Sequence, residues 1–426
     1  MNTAVIVALV VLIVADLPVV FAFGLTAIAG VIASGDLPLS VIPQRIFVGL
    51  DSFPLLAAPL FMLAGEIMSV GAMSDRLVKF ATALFGHLRG SLAMICVIAT
   101  TLFSCVSGSG AADTAAVGSI LIPAMIKRGY NPGFATALQA SAGCLGPIIP
   151  PSIAMVIYAW VAGVSVSAMF LGGVIPGILI AMALLVVSYF HARNGGDAYA
   201  GDQRATSAEM VKATIGALPA LGMPLIIVGG FRIGAFTATE AAAVAVFYAL
   251  LIELFIYRDL RWSHLPELFA VSAIRSTIVM FVVATAALLG WIVTYSGMPD
   301  RAAALLEAIS PDKYILLLWL NVLFLIMGTF MESYAAIILL VPLLLPIVKQ
   351  YGIDLVHFGV IVTVNLCIGM VTPPVGITLF VASSISGAKQ SVIYRHLWPM
   401  FLAMVAVLLL ITYVPQTILI LPQLLR

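Results

Sequence analysis

The sequence predicts an all-α polytopic membrane protein with two inverted-topology repeats, each containing a re-entrant helical hairpin and a broken helix. Three observations predict this class. Of the 426 residues, 63% are hydrophobic and 9% are charged, whereas soluble domains are about 25% charged. The mean hydropathy is +1.20. Two diproline motifs, GPIIPP at 146–151 and GMVTPP at 369–374, interrupt long apolar stretches and superpose when the chain is shifted by 223 residues.

Composition and motifs exclude several other classes of protein. The net charge of +1 provides no basic surface for nucleic acid, so no nucleic-acid partner is expected. The sequence has no H-E-x-x-H and no G-x-x-x-x-G-K-[ST], so we expect neither an enzyme nor a bound cofactor. The N-terminal apolar stretch lacks a basic region and is expected to be a membrane helix rather than a cleaved signal. Four cysteines lie inside apolar segments without metal-ligand spacing and are expected to be buried thiols: Cys96, Cys105, Cys144 and Cys367.

The apolar segments give the expected order of membrane elements. About 20 residues are needed to span a bilayer, and several segments are shorter than this. We expect 91–106 with 114–126, and 314–331 with 334–348, to form hairpins that enter and leave the lipid bilayer from the same side. The remaining segments are 3–15, 18–33, 53–70, 134–165, 169–190, 216–230, 236–256, 268–296, 356–385 and 397–424.

The diproline motifs predict where two of these segments break. Adjacent prolines remove two backbone donors and clash with the preceding turn. The carbonyl groups that lose their partners are tolerated at membrane depth only if they are buried in protein, face water or bind a ligand. Breaks at corresponding positions of two halves are typical of transporter binding sites.

The 223-residue shift also aligns residues around the breaks. It superposes Pro123 on Pro346, Gly129 on Gly352, and Asn131 on Asp354. A looser shift of about 225 residues pairs GAMSDR at 71–76 with GMPDR at 297–301. These matches predict two structural repeats.

The distribution of basic residues predicts that the repeats are inverted. Arginine and lysine are enriched in cytoplasmic segments. Basic residues flank the first hairpin, whereas residues 299–312 before the second hairpin carry one arginine and three acidic residues. We therefore expect the first hairpin to open to the cytoplasm and the second to the outside, with both termini outside. Further basic segments expected in the cytoplasm are 191–212, 258–261 and 389–395.

The first hairpin turns at SGSGAADT, residues 107–114, which offers serine hydroxyls and loop carbonyls close to the first break. Hard oxygen donors at a broken helix suit a small alkali cation. The alternative is that the serines and glycines only pack a tight turn. Asp113 belongs to the site or caps the following helix.

The second hairpin turns at GTFMES, residues 328–333. Glu332 lies in an apolar region, where an ionisable residue indicates function unless it serves as a helix cap. With Gly369 and Thr372 it forms a second candidate site. Asn365 lies one turn before the second break and could instead form a hydrogen bond between helices.

Three other carboxylates and one arginine lie in apolar segments. For Glu66, Glu240 and Glu253 we favour interhelical pairing or a position near the membrane interface over an ion relay. Arg275 could neutralise an anionic substrate, although we favour an interfacial position for its long side chain.

Seven short strings are distinctive: GHLRG at 86–90, SGS at 107–109, IPAMIKRGY at 122–130, GPIIPPS at 146–152, ES at 332–333, HFGV at 357–360 and TPPVG at 372–376. Together they resemble the large membrane subunit of tripartite ATP-independent periplasmic (TRAP) transporters. One departure from the family pattern is Ala111 before Ala112-Asp113, where valine is more frequent in the family.

The resemblance implies an elevator-type fold with a scaffold domain and a mobile transport domain, in the bacterial inner membrane. It implies uptake of an organic anion, such as a C4-dicarboxylate or a sialic acid, driven by Na⁺ as the coupling ion. The implied partners are a small four-helix membrane subunit and a periplasmic substrate-binding protein. The alternative is a stand-alone elevator-type carboxylate transporter or antiporter without a binding protein.

The resemblance also implies site residues. One Na⁺ site would use Ser107, Ser109, Gly146, Ile149 and Pro151. The other would use Gly328, Thr329, Glu332, Gly369, Thr372 and Pro374. Substrate contacts are expected from Gly108, Asp113, Met331, Ser333 and Asn365.

The resulting domain boundaries follow the repeats. Scaffold helices and an arm are expected in 1–90, with a hairpin and broken helix of the transport domain in 91–165. The second repeat has scaffold helices, a loop and an arm in 166–313, transport-domain elements in 314–386 and a C-terminal scaffold helix in 387–426.

Overall fold

The computed structural model describes residues 7–9, 11–12, 15, 17–70, 73–193, 196, 199–298 and 312–424, and throughout these residues the regular structure is helical. The helices, numbered here in chain order, are α1 (Val19–Ser34), α2 (Val41–Leu50), α3 (Ala57–Val70), α4 (Met73–Phe85), α5 (Ser91–Ser107), α6 (Gly110–Lys127), α7 (Pro132–Gly143), α8 (Ile153–Ala162), α9 (Val166–Arg193), α10 (Ser207–Arg232), α11 (Ala238–Leu251), α12 (Leu265–Tyr295), α13 (Lys313–Phe330), α14 (Ser333–Gln350), α15 (Leu355–Gly369), α16 (Ile377–Ser386), α17 (Gln390–Tyr413) and α18 (Gln416–Leu424).

The all-helical membrane fold is confirmed. Seven helices within the described residues are long and apolar enough to cross a membrane, or eight if the bent pair Val41–Leu50 and Phe53–Ser69 counts as one span. The expected segment 397–424 is two helices, because α17 ends before Pro415, and a proline disfavours helical geometry in the residue before it.

Two helices were not expected from the apolar pattern. The short helix α2 meets the next helix at an angle of 63°. The helix α4 buries Met73, Leu77 and Ala81 on one side and carries the Asp75–Lys79 ion pair on the other. Because this pattern is amphipathic, α4 contains no long apolar stretch that would predict it.

The helix boundaries follow the 223-residue shift. The second arms of the hairpins begin at Gly110 and Ser333, and end at Lys127 and Gln350. The first halves of the broken helices begin at Pro132 and Leu355. Their cap residues match as well: Asn131 accepts a hydrogen bond of 2.8 Å from the Gly133 N–H, and Asp354 accepts one of 2.8 Å from the Val356 N–H.

The hairpins and broken helices interlock. Helix α6 packs against α16, which is the second half of the other broken helix, and α14 packs against α8 in the same way. The long helix α12 contacts α1, α2 and α3 on one side and α14 on the other. The two hairpins therefore share one core, and α12 lies beside it.

Segments assigned to the cytoplasm contact one another at two places. Arg128 at the end of α6 forms hydrogen bonds of 2.8 and 2.7 Å to Asp202 in the loop before α10. Arg76 in α4 forms an ion pair of 3.4 Å with Asp259. Inversion of the repeats, the sidedness and the domain boundaries stay predictions. The pairing of 71–76 with 297–301 and the charges of 299–311 fall partly or wholly outside the described residues.

Candidate functional site

The tip of the first hairpin rests on the first helix break. Gly146 lies so close to the tip that a Cβ built on it would be 2.7 Å from the carbonyl carbon of Ser109 and 2.8 Å from the nitrogen of Gly110. Gly108, with φ of 63°, faces the carbonyl oxygen of Pro151. The structure therefore brings together Ser109, Gly146 and Pro151, as the sequence predicts.

Asp113 is buried directly beneath this contact. Its side chain is fully buried, and its two carboxylate oxygens accept hydrogen bonds from the hydroxyls of Ser104 and Ser107. Ser109 is the cap of α6, since its hydroxyl accepts a bond of 3.5 Å from the Ala112 N–H. Asp113 is therefore not the helix cap, and it does not line the cavity described below. It adds a carboxylate to a cluster of oxygen atoms.

The tip of the second hairpin rests on the second break in a comparable way. A Cβ built on Gly369 would be 2.5 Å from the Cα of Gly328. The hydroxyls of Thr329 and Thr372 donate bonds of 2.7 and 2.8 Å to the carbonyls of Ile326 and Ile368. Each donating hydroxyl keeps lone pairs with which it can accept a bond or bind a cation.

Glu332 lies at the start of α14, and its side chain does not cap the helix. The residue is exposed, and it lines a cavity instead. The capping alternative is therefore not what the structure contains. Met331 and Ser333, its neighbours, are buried, and the Ser333 hydroxyl lies 3.5 Å from the sulfur of Met370.

A cavity of about 700 Å³ lies between the hairpin tips and the helices α3 and α12. Both tips reach it, through Ser107 and Ser109 of the first and Glu332 of the second. In the part of the chain that the structure describes, three carboxylate or guanidinium groups line it: Glu66, Arg275 and Glu332. Its dimensions are in the range of small-molecule sites.

Arg275 forms an ion pair with Glu66 across the cavity wall. The side chain of Arg275 lines the cavity, and its expected position near the membrane interface stays a prediction. The interhelical pairing favoured for Glu66 is confirmed. The partners are 209 positions apart in the sequence, so no local pattern could have paired them.

Other predicted residues lie away from the cavity. The Asn365 amide donates 2.7 Å and 2.9 Å bonds to Asn321 and to the Ile361 carbonyl, so its contacts are between and within helices. Ile149 is buried. Glu240 accepts a 2.7 Å bond from the Thr237 N–H in a capping box. Glu253 is fully buried, and its carboxylate has no hydrogen-bond partner among the described residues.

The donor types determine which cations fit. Within the described residues, no group of three or more His, Cys, Asp or Glu side chains could hold a metal ion. Hydroxyls, backbone carbonyls and single carboxylates are the oxygen donors at the tips. Such donors suit an alkali cation better than a transition metal.

Comparison with known proteins identifies relatives over nearly the whole chain. Residues 6–417 match the family described as tripartite ATP-independent periplasmic transporter, DctM component. The chain is 41% identical over 403 residues to the isethionate TRAP transporter permease protein DctMQ of Oleidesulfovibrio alaskensis, a match that covers 94% of this chain and 63% of that protein. It is 39% identical over 379 residues to the C4-dicarboxylate TRAP transporter large permease protein DctM of Pseudomonas aeruginosa, covering 89% and 88% of the two chains.

A solved structure shows a similar fold. The YdaH transporter of Alcanivorax borkumensis, reported to have an unusual topology, matches with a TM-score of 0.63 at 15% identity, covering 87% of this chain and 86% of that one. At this identity only the fold is comparable. The family match and the Pseudomonas aeruginosa relative carry the assignment: the chain belongs to the DctM component family of tripartite ATP-independent periplasmic transporters.

Proposed function

We propose that this chain is the Na⁺-driven subunit that imports an organic anion, delivered by a periplasmic substrate-binding protein, through an elevator movement. The observation that carries this proposal is the cavity at which both hairpin tips meet one arginine. Each tip rests on a helix break, where oxygen donors suitable for Na⁺ come together.

Family membership establishes the coarser statements. The chain is a permease subunit of a transporter, so the expectation that it is not an enzyme is confirmed. Its apolar helices fit a multi-pass protein of the bacterial inner membrane.

The first Na⁺ would bind between the first tip and the first break. Asp113 supplies a buried negative charge, and its side-chain hydrogen-bond partners within the described residues, Ser104 and Ser107, are neutral hydroxyls. A carboxylate at this depth is costly unless a cation or proton neutralises it. Na⁺ held by Ser107, Ser109 and the carbonyls near Gly146, Ile149 and Pro151 would provide that charge. We therefore move Asp113 from the expected substrate contacts to the cation site.

The second Na⁺ would bind between the second tip and the second break. Gly328, Thr329, Gly369, Thr372 and Pro374 supply backbone and hydroxyl oxygens there. Glu332 projects from the same tip into the cavity. A cation bound at this tip would therefore act directly on the charge that a substrate meets.

Coupling between cation and anion follows from the charges of the cavity. Among the described residues its lining has one guanidinium and two carboxylates, so without bound cations the field is unfavourable for an anion. Na⁺ bound at the tips offsets the carboxylate charges, so the field in the cavity then favours an anion. Because binding effects are reciprocal, the anion also strengthens cation binding, and this is what an ion-driven transporter requires.

The interlocked hairpins and broken helices would move as one body. Their shared contacts, α6 on α16 and α14 on α8, make independent movement of one hairpin costly. Helices α3 and α12 form the opposite wall of the cavity and would belong to the stationary scaffold. A small membrane subunit would brace that scaffold, and the binding protein would dock over the cavity when it opens to the periplasm.

Uptake into proteoliposomes tests the function. The chain and its small subunit are reconstituted, and uptake of labelled isethionate, succinate and sialic acid is measured with and without an inward Na⁺ gradient and the binding protein. Uptake that requires both supports the proposal. Uptake that requires Na⁺ alone identifies a stand-alone transporter. Uptake that is indifferent to Na⁺ contradicts cation coupling.

A further inference from the structure

We propose that Arg275 binds the anionic group of the substrate, and that Glu66 is a resident counter-ion which the substrate displaces. This inference rests on the proposed function, since it assigns a residue to the same cavity. It goes beyond it by naming the group that recognises the anion, and by placing that group on α12 rather than on a hairpin.

Exposure to the cavity distinguishes the two partners. The side chain of Arg275 is 56% exposed, whereas that of Glu66 is 17% exposed. The guanidinium therefore faces the cavity, and the carboxylate lies behind it. A pair that only held α3 to α12 would not need to present its cation to a cavity of about 700 Å³.

The hydrogen-bond capacity of Arg275 is incompletely used. A guanidinium has five N–H donors in a planar fork that matches carboxylate and sulfonate oxygens. Glu66 takes the Nη1 group, and within the described part of the chain no other acceptor is bonded to this side chain. The remaining donors are available to an anion in the cavity.

The surroundings of Arg275 make it the group that an anion meets. It carries the one positive charge among the cavity-lining side chains of the described residues. Ser272, one turn earlier on α12, lines the same wall and can add a hydroxyl donor. Without substrate, an isolated arginine at membrane depth would be costly, and Glu66 removes that cost.

An exchange of partners follows from this arrangement. A substrate carboxylate or sulfonate that binds Arg275 competes with Glu66 for the same fork. The pair is therefore selective for anions and is neutral when no anion is bound. Arg275→Lys keeps the charge and the ion pair but loses the planar fork, so it separates recognition by geometry from simple charge.

The test compares loss of the counter-ion alone with loss of both partners of the ion pair. Glu66→Gln is compared with the double variant Glu66→Gln, Arg275→Gln, in the complex with the small subunit. Arg45→Gln is the matched control. Arg45 lies in α2, outside the cavity lining, and its guanidinium stacks on Trp291 of α12, 4.6 Å from the ring centroid. The readouts are uptake in proteoliposomes and the Kd for whichever of isethionate, succinate and sialic acid the wild type takes up.

The expected results follow from loss of one charge-assisted contact. The double variant should raise Kd about 10- to 100-fold relative to Glu66→Gln. Glu66→Gln alone should lower Kd, because the competitor is gone, and Arg45→Gln should leave it unchanged. Arg275→Lys should weaken binding although the protein stays folded.

Three outcomes would overturn the inference. If the double variant had the same Kd as Glu66→Gln, Arg275 would have no role in binding the anion. If the charge-swapped variant Glu66→Arg, Arg275→Glu bound the anion as the wild type does, the ion pair would have only a structural role. A Kd raised by Glu66→Gln would refute the exchange of partners. If the proposed function were wrong, the wild-type protein would take up none of the three anions, which is a different result from any of these.

Discussion

The two hairpin tips use similar backbone contacts but place their carboxylates differently. At the first tip, Asp113 is fully buried and bonded to Ser104 and Ser107. At the second tip, Glu332 is exposed to the cavity and does not cap its helix. The 223-residue shift places Glu332 opposite Ser109, so the two carboxylates are not equivalent positions.

This difference indicates a division of roles. A buried carboxylate compensated only by hydroxyls depends on a bound cation more strongly than an exposed one does. We therefore expect the first site to hold its Na⁺ tightly and to hold the tip against the break. At the second site, which contacts the cavity, Na⁺ occupancy would depend on whether substrate is bound.

The largest effect is expected from Asp113→Asn. Loss of the buried charge should raise the Na⁺ concentration for half-maximal uptake about 10- to 100-fold. The measurement is initial uptake rate as a function of Na⁺. Glu253→Gln is the matched control, since it neutralises another fully buried carboxylate, one that does not line the cavity at the tips. An Asp113→Asn variant with the Na⁺ dependence of the wild type would refute the first site.

The next effect is expected from alanine at the two close contacts. A Cβ at position 146 or 369 would lie 2.5 to 2.8 Å from backbone atoms of the facing tip, which are not free to move. Overpacking of this kind costs about 1–3 kcal/mol. Both variants should lose most Na⁺-driven uptake while remaining folded by size-exclusion chromatography.

Gly290→Ala controls for the glycine substitutions. A Cβ at Gly290 meets nothing within 4 Å, so the substitution should leave uptake unchanged. If Gly146→Ala and Gly369→Ala also transported normally, the close contact of tip and break would have no role in transport. If one of the two retained uptake, only the other site would be coupled.

A smaller effect is expected from Glu332→Gln. Because Glu332 is exposed and water can reach it, its charge is partly screened. We expect an increase of about 2- to 5-fold in the Na⁺ concentration for half-maximal uptake, equivalent to the ~1 kcal/mol of an exposed charge pair. An effect as large as that of Asp113→Asn would contradict the proposed division between the sites.

The smallest effect is expected at the base of the first hairpin. The hydrogen bonds from Arg128 hold the pKa of Asp202 below its usual range. Since the folded pKa is lowered, this stabilisation is present above about pH 4 and is lost as the pH falls through the folded pKa. Asp202 is half exposed, so the contribution should stay below about 1 kcal/mol.

Thermal unfolding of Asp202→Asn at several pH values measures this contribution. The difference in Tm from the wild type should be present at pH 7 and should shrink in acid, while the Na⁺ dependence of uptake stays unchanged. Altered Na⁺ dependence would mean that the base of the hairpin, and not only its tip, controls the first site.

The sequence predicts the backbone of the site better than its side-chain pairs. Prolines and glycines act locally, so the breaks at 146–151 and 369–374, the tips and the contact of Gly146 with Ser109 were foreseeable. The pairing of Arg275 with Glu66 and the bond from Ser104 to Asp113 depend on the rotation of packed helices. No spacing in the sequence encodes that rotation. The interhelical hydrogen bond given above as the alternative for Asn365 is present, with Asn321 as its partner.

Equilibrium binding of labelled Na⁺ to the purified chain with its small subunit tests the central claim most directly. We predict two bound Na⁺ per chain in the wild type and one in Asp113→Asn. Glu332→Gln should bind two Na⁺, the second with lower affinity than in the wild type. Wild-type protein that binds no Na⁺ above a choline background, or Asp113→Asn protein that binds as much as the wild type, would contradict the account.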